Sequence, residues 1–282
     1  MTSSTAIADL EENRLVEAVY AVAQKRRLRT RNGSDYLALE LVDPSGRINA
    51  RIWSDVELLD ARFTEGDAVR VLGRVERYRD QLQVEVRSLE QAEGVDPADL
   101  APAARRDVGE LDGFLDFLAA EVAHEGLVTT LHAFLADDTF RERFRRLPAT
   151  PDGHHSYAGG LLEHTVGVAT LVRESALLHP RLRSDLVLTA GILHDVGRTR
   201  ELDTGPLFAP THEGELLGHV QLGLQMIRDR AGGLEADTLA ELLHGVATHH
   251  DARGHRTAEA AVLYHSNLLD ATAATRPVRA PA

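Results

Sequence analysis

The sequence predicts two domains of different class, a small all-β barrel of five strands followed by an all-α helical domain. Apolar residues alternate with period two from about Val16 to Leu89, as in strands with one buried face. Beyond Ala92 the apolar spacing becomes three and four, the helical signature. All 14 histidines lie after residue 123, so the chemistry is expected in the helical half.

The first strand precedes Lys25. Tyr36-Leu-Ala-Leu-Glu-Leu-Val42 is the second, and Asp43-Pro-Ser-Gly46 reads as a turn. Arg47-Ile-Asn-Ala-Arg-Ile-Trp53 is the third. Asp67 to Arg77 forms the fourth, with Gly73 where a barrel strand bends, and Leu82 to Leu89 the fifth. Five strands in about 75 residues fit a closed barrel of the OB type. Gly94 to Pro102 reads as a linker, and helices are expected over 108–122, 125–136, 156–178, 184–196, 213–230, 236–250 and 258–274. The expected organisation is a flexible N-terminus (1–13), an OB-fold nucleic-acid-binding domain (14–93), a linker (94–107), a helical domain (108–275) and a flexible tail (276–282).

The 282 residues are 43% hydrophobic, enough for a real core. A net charge of −13 argues against a generic nucleic-acid coat protein. The charges are uneven, however: residues 13 to 90 hold 14 Lys and Arg against 13 Asp and Glu. There is no long apolar run for a membrane span and no basic start followed by an apolar stretch for secretion. Cysteine is absent, which excludes disulfides and thiolate metal sites, and a cytoplasmic protein is the simplest inference.

His194-Asp195 closes the apolar run that starts at Leu186, and a His and an Asp adjacent at a helix end can turn toward one cavity. The carboxylate can bridge two cations while the imidazole binds one, and Gly197 lets the chain leave sharply. His164 lies on the preceding helix, His219 on a later one, and His249-His250 closes another. Asn267 and Asp270 sit one turn apart on the last helix and can face the same point. Mixed nitrogen and oxygen donors on facing helices suit one or two divalent ions, manganese foremost, with magnesium, iron and zinc as alternatives. Two such ions can activate a water and stabilise the oxygens of a phosphoryl displacement.

His154-His-Ser-Tyr-Ala-Gly-Gly-Leu-Leu-Glu-His-Thr165, Gly191-Ile-Leu-His-Asp-Val-Gly197 and Gly214-Glu-Leu-Leu-Gly-His219 resemble the HD superfamily of metal-dependent phosphohydrolases, and within it the YhaM-type 3′–5′ exoribonucleases. Leu41 to Trp53 and Gly73 to Tyr78 are similar to that family's OB domain. The resemblance implies that His164, His194 and Asp195 hold one metal, and that Asp195, His219 and His249 hold a second, with His250 beside it. Asn267 stands where the family has a ligating Asp, and Asp270 matches a second Asp, so either can complete the site. Arg198 replaces the family's Lys and can grip a phosphate bidentately. His155 is a candidate for phosphate contact or proton transfer. The resemblance also implies 3′–5′ polarity and self-association.

Lys25-Arg-Arg-Leu-Arg-Thr-Arg31 places Lys25, Arg26, Arg27, Arg29 and Arg31 at the expected first barrel loop. The run reads either as a solvated strand end or as a contact for the backbone of single-stranded RNA or DNA, with Tyr36, Trp53 and Tyr78 as stacking candidates. Trp53 can equally be core. His124, His132, His179, His244 and His265 read as structural, His212 as the neighbour of a helix cap, and Glu163 as a supporting or a solvated residue. Two further functions stay open: hydrolysis of small nucleotides or cyclic dinucleotides, and nucleic-acid binding with a degenerate metal site.

Overall fold

The structure, a computed structural model, describes residues 5–104 and 106–275. The chain divides into two compact units, one of residues up to Ala103 with Thr204–Leu207, the other of Ala104–Asp203 and the residues from Phe208. The boundary at Ala103 falls inside the segment 94–107.

The first unit is a closed barrel of β1 (Leu15–Arg29), β2 (Asp35–Asp43), β3 (Gly46–Ile52), β4 (Ala68–Tyr78) and β5 (Gln81–Gln91), in the order β1-β2-β3-β5-β4. A short helix α1 (Val56–Asp60) links β3 to β4. All pairings are antiparallel except β3 with β5, and β4 closes the barrel on β1 with Leu15 opposite Arg74. The register of β4 on β5 slips between Leu72 and Gly73, where the sequence marks a bend. Alternate residues point inward, so Val16, Ala18, Tyr20 and Val22 meet Leu37, Leu39, Leu41, Ile52, Val69, Val71 and Val84 in one core.

Two expectations are corrected here. Residues 7–10 are not a flexible leader. Ile7 and Leu10 are buried in the barrel core, and the Ile7 amide donates to Asp43 (2.8 Å). Lys25 to Arg29 are not a loop but the far half of β1, paired with β2 up to Arg29 opposite Asp35. That half of β1 is mostly exposed, so no alternation marks it as a strand. The tail 276–282 lies outside the described residues.

The second unit contains α2 (Val108–Ala120), α3 (Glu125–Leu135), α4 (Asp138–Arg146), α5 (Gly160–Leu178), α6 (Ser184–Leu193), α7 (Arg198–Glu201), α8 (His212–Arg230), α9 (Ala236–Thr248) and α10 (Ala258–Thr275). Every residue of α6 from Leu186 to Leu193 is buried, as expected of a helix that is apolar all round. α5 packs on α6, α10, α2 and α4. α4 and α7 escape the sequence pattern. α4 is highly charged and buries only Phe140 and Phe144, and α7 is a single turn. α8 is not straight: Gly218 adopts φ 68° and kinks it just before His219.

Asp112 of α2 ties α4 to the core. Its carboxylate accepts from Arg141 Nη2 (2.8 Å) and from Arg145, and Arg141 also reaches Asp116 (2.7 Å). Burial alone would raise the Asp112 pKa, but the hydrogen bonds from Arg145 and Arg141 hold it below the ordinary range. A lowered folded pKa means the pair stabilises the protein above the usual carboxylate range and loses that effect as the pH falls through the folded value. Asp112→Ala leaves the largely buried Arg141 without its main partner and is expected to cost about 3 kcal/mol in denaturant unfolding at neutral pH. The deficit should shrink in acid, and an unchanged midpoint at neutral pH would contradict this account.

Candidate metal centre

Two helices deliver donor groups in the same way. His194 and His249 each follow the last residue of a helix, α6 and α9, in the C-cap position. The Nδ1–H of His194 donates to the Gly191 carbonyl (2.7 Å), and that of His249 to the Val246 carbonyl (2.6 Å). Each bond uses a carbonyl that the helix end leaves free. It also fixes the tautomer, so Nε2 carries a bare lone pair directed away from its own helix. His164, on α5, is fixed through Nδ1 on Asp270 Oδ2 (2.7 Å) and brings its Nε2 to 3.2 Å from that of His194.

Asp195, in the turn after α6, lies among these rings. Its Oδ2 is 3.7 Å from His194 Nε2 and 3.9 Å from His164 Nε2. Its Oδ1 is 3.4 Å from both His219 Nε2 and His249 Nε2. His219 Nε2 is 3.0 Å from His250 Nε2. Two groups of donor atoms therefore share one carboxylate: His164, His194 and Asp195 on one side, and Asp195, His219, His249 and His250 on the other, each within 4.8 Å.

Burial is nearly complete for His164, His194, Asp195 and His249, while His250 is exposed. Burial drives the His194 pKa down to about 3, and the packing of the His250 ring against His219 and His249 desolvates it enough to bring it to about 3 although one side of the residue is open, so both are neutral and able to ligate at pH 7. Asp195 Oδ1, His249 Nε2 and Asn267 Oδ1 are buried with no hydrogen-bond partner. Buried lone pairs facing one another without donors cost free energy, and a divalent cation satisfies them. The donor set, imidazoles around a bridging carboxylate, fits such an ion.

The kink in α8 places His219. It frees the His219 amide, which donates to Glu201 Oε1 (3.1 Å), and the same oxygen lies 3.5 Å from His219 Nδ1. Glu201 also accepts from Arg198 Nη1 (2.5 Å), so one carboxylate sets both residues. Arg198 is buried, and its Nε, 3.9 Å from Asp195, has no hydrogen-bond partner.

Asn267 and Asp270 do not face one point, although they are one turn apart. Asn267 lies beneath the second group and donates to the His249 carbonyl (3.2 Å). Asp270 stands behind His164 and also bonds His155 Nε2 (3.0 Å). Sequence reasoning gave no role to Tyr157, although it lies within the His154–Thr165 stretch that carries the resemblance, and no pattern in the sequence marks Glu201. His154, given no role of its own, has its ring 4.6 Å from that of His164, and burial lowers its pKa to about 4.

In the barrel, Tyr36 and Trp53 stack at 4.7 Å, and Trp53 is half exposed, not core. Tyr78 does not join that stack and has the Arg79 guanidinium over its ring. Lys25 is spent inside the unit. Its ammonium meets Asp60 Oδ1 (2.8 Å) and the carbonyls of Asp60 (2.5 Å) and Phe63 (2.7 Å), so it is removed from the candidate nucleic-acid contacts. Arg27 and Arg29 pair with Asp35 (2.7 and 3.0 Å), while Arg26 and Arg31 are exposed.

With this geometry in hand, the family comparisons agree with the two units. The family model described as HD domain matches residues 161–273, and that described as OB-fold nucleic acid binding domain matches residues 19–92. The chain thus runs from an OB-type barrel into a helical unit that matches the HD domain. Several similar proteins bear the name 3′-5′ exoribonuclease YhaM, in line with the resemblance seen in the sequence. The protein of that name from Listeria monocytogenes serotype 4b (strain CLIP80459) is 27% identical over 94% of this chain and 88% of its own length. That from Geobacillus sp. (strain WCH70) is 29% identical over 85% of this chain and 77% of its own. Among solved structures, the second OB-fold domain of replication protein A from Methanococcus maripaludis matches 33% of this chain and 98% of that domain, at 23% identity and a TM-score of 0.27. No helix among the described residues is long and apolar enough to cross a membrane.

Gly197 matters for space rather than for a sharp exit. Its φ is −64°, an ordinary helical value, but a Cβ there would collide with the His219 carbonyl. Gly197→Ala must push α8 away from the turn that carries Asp195. A stability loss of about 1–3 kcal/mol is expected, together with weaker Mn²⁺ binding in a calorimetric titration. Wild-type values for both would show that the close packing of turn and kink does not set the site.

Proposed function

We propose that this protein is a metal-dependent 3′–5′ exonuclease that shortens single-stranded RNA or single-stranded DNA by phosphodiester hydrolysis. The observation that carries the reading is the convergence of imidazole Nε2 atoms on both oxygens of the buried Asp195. The name of the homologues, which match both units, supports the reaction and its polarity.

His164, His194 and Asp195 would hold one ion, and Asp195, His219, His249 and His250 a second, manganese foremost. When bound, such ions acidify water and neutralise charge on a phosphodiester. The chain's own residues do the rest. The carbonyl tethers keep His194 and His249 aimed. His250, the exposed member, is the one a substrate oxygen reaches from solvent. Arg198, fixed by Glu201, offers its remaining donors to a non-bridging phosphate oxygen. Asn267 serves from beneath His249, by its amide oxygen or through that residue.

In the barrel, the Tyr36–Trp53 stack offers an exposed aromatic face for a base, and Arg26 and Arg31 offer charge to the strand's phosphates. Tyr78, with Arg79, is a second place for a base to stack. Self-association and a cytoplasmic setting, both implied at the level of sequence, belong to the same proposal.

The test is a 5′-labelled RNA oligonucleotide incubated with pure protein and Mn²⁺. Progressive shortening from the 3′ end is expected, abolished by EDTA and in Asp195→Ala, whose circular dichroism should match wild type. An intact oligonucleotide with each of Mn²⁺, Mg²⁺, Fe²⁺ and Zn²⁺ would refute the reading, and turnover of small nucleotides alone would replace it. Trp53→Ala removes a stacking face worth about 1–3 kcal/mol per base. It is expected to raise KM for long oligonucleotides at least fivefold with kcat held. An unchanged KM would remove the platform from the substrate path.

A further inference from the structure

Four hydrogen bonds run in series behind the first group of ligands. Tyr157 Oη donates to Glu163 Oε2 (2.8 Å) and lies 2.8 Å from His155 Nδ1. His155 Nε2 is 3.0 Å from Asp270 Oδ2, and that same oxygen accepts from His164 Nδ1 at 2.7 Å. Burial would raise the Asp270 pKa, but the hydrogen bonds from His155 and His164 hold the carboxyl far below its ordinary range. The other oxygen, Oδ1, occupies the space where residue 167 would have its Cβ, so only glycine fits there. One oxygen of Asp270 thus serves two imidazoles, and the other is packed on the backbone of α5.

We propose that Asp270, His155 and Tyr157 are positioning residues, a hydrogen-bonded brace that fixes the His164 ring from behind, so that Asp270 serves the metal centre without ligating it. The inference rests on reading the centre as a cation site, not on the identity of the substrate. A carboxylate on the far nitrogen of a ligating imidazole fixes its tautomer, aims its ring and raises its basicity. Asp270 is itself fixed, because His155 holds the oxygen that His164 uses. His155 in turn sits in a left-handed backbone conformation, φ 47°, which is strained for a residue with a side chain. The surrounding loop holds it there: the Ala149 amide donates to the His155 carbonyl (3.2 Å), and Thr150 Oγ1 to the His154 carbonyl (2.9 Å). Both ring nitrogens of His155 are engaged, so its work is placement. The brace also divides the roles of the two residues on α10, Asn267 toward His249 and Asp270 toward His164.

The experiment titrates the full-length protein with Co²⁺, following its visible absorption bands and the heat of binding, for wild type, Tyr157→Phe, His155→Ala, Asp270→Asn, Asp270→Ala and His164→Ala. Melting in EDTA shows which variants fold. Should Tyr157→Phe fail to fold, Glu163→Gln takes its place, testing the same chain from its outer end. His164→Ala should lose one ion. Asp270→Ala should keep both ions but bind one about 10–100-fold more weakly, with a changed cobalt spectrum. Asp270→Asn retains an acceptor for His164 and should recover most of that affinity. Tyr157→Phe and His155→Ala should each weaken the same ion about tenfold and leave the other unchanged. Loss of an ion in Asp270→Ala, as in His164→Ala, would make Asp270 a ligand and overturn the proposal. Wild-type titrations for Tyr157→Phe and His155→Ala would overturn it as well. A protein that shows the expected cobalt pattern but leaves oligonucleotides intact defeats the exonuclease reading and leaves the brace standing. One that binds no cobalt defeats both.

Discussion

Both oxygens of Asp195 face imidazole nitrogens, and the helical unit is arranged to make that possible. A carboxylate oxygen buried without a donor is costly, and Asp195 Oδ1 lies so, beside rings whose Nδ1 protons point elsewhere. The arrangement is unfavourable as protein alone and favourable around a cation. Everything near it serves to hold the groups in place against that cost. α6 is apolar on all sides and carries His194 and Asp195 into the interior. α9 repeats the device, ending in a histidine tethered to the carbonyl three residues back. Helix ends are suited to this because their last carbonyls have no partner within the helix.

The supporting residues follow the same logic at one remove. Glu201 holds Arg198 and His219 together, across the break in α8 that Gly218 creates. Asp270 does the corresponding work for His164. The two groups of donor atoms are thus each backed by one carboxylate, Asp270 or Glu201, that belongs to neither group. The centre is built from imidazoles around a single shared carboxylate, so its electrostatics depend on Asp195 more than on any other residue.

Much of this was legible in the sequence, for physical reasons. Period two and period three to four separate barrel from bundle, because side chains must alternate on strands and line one face of a helix. His164, His194, Asp195, His219 and His249 stood out as an ordered set on successive helices, since a single histidine on an apolar face is readily structural and five together are not. What remained hidden depends on direction rather than type. Spacing put Asn267 and Asp270 on one side of a helix, but only packing shows that one turns to His249 and the other to His164. Gly197 was rightly marked and wrongly explained, since its need is for contact with α8 and not for an unusual φ. Lys25 belonged to a conspicuous basic run, yet its ammonium is consumed by acceptors that lie far along the chain. α4 and α7 were missed because one shows only two buried apolar residues and the other is too short for any period.

The claim on which all of this depends is that one buried carboxylate is shared between two ions. Crystals grown with Mn²⁺ and measured at a wavelength where manganese scatters anomalously would show it directly. Two peaks are predicted, one against His164 and His194, the other against His219, His249 and His250, with Asp195 touching both. A map with peaks remote from Asp195, or none at full Mn²⁺ occupancy of the solution, would contradict the account.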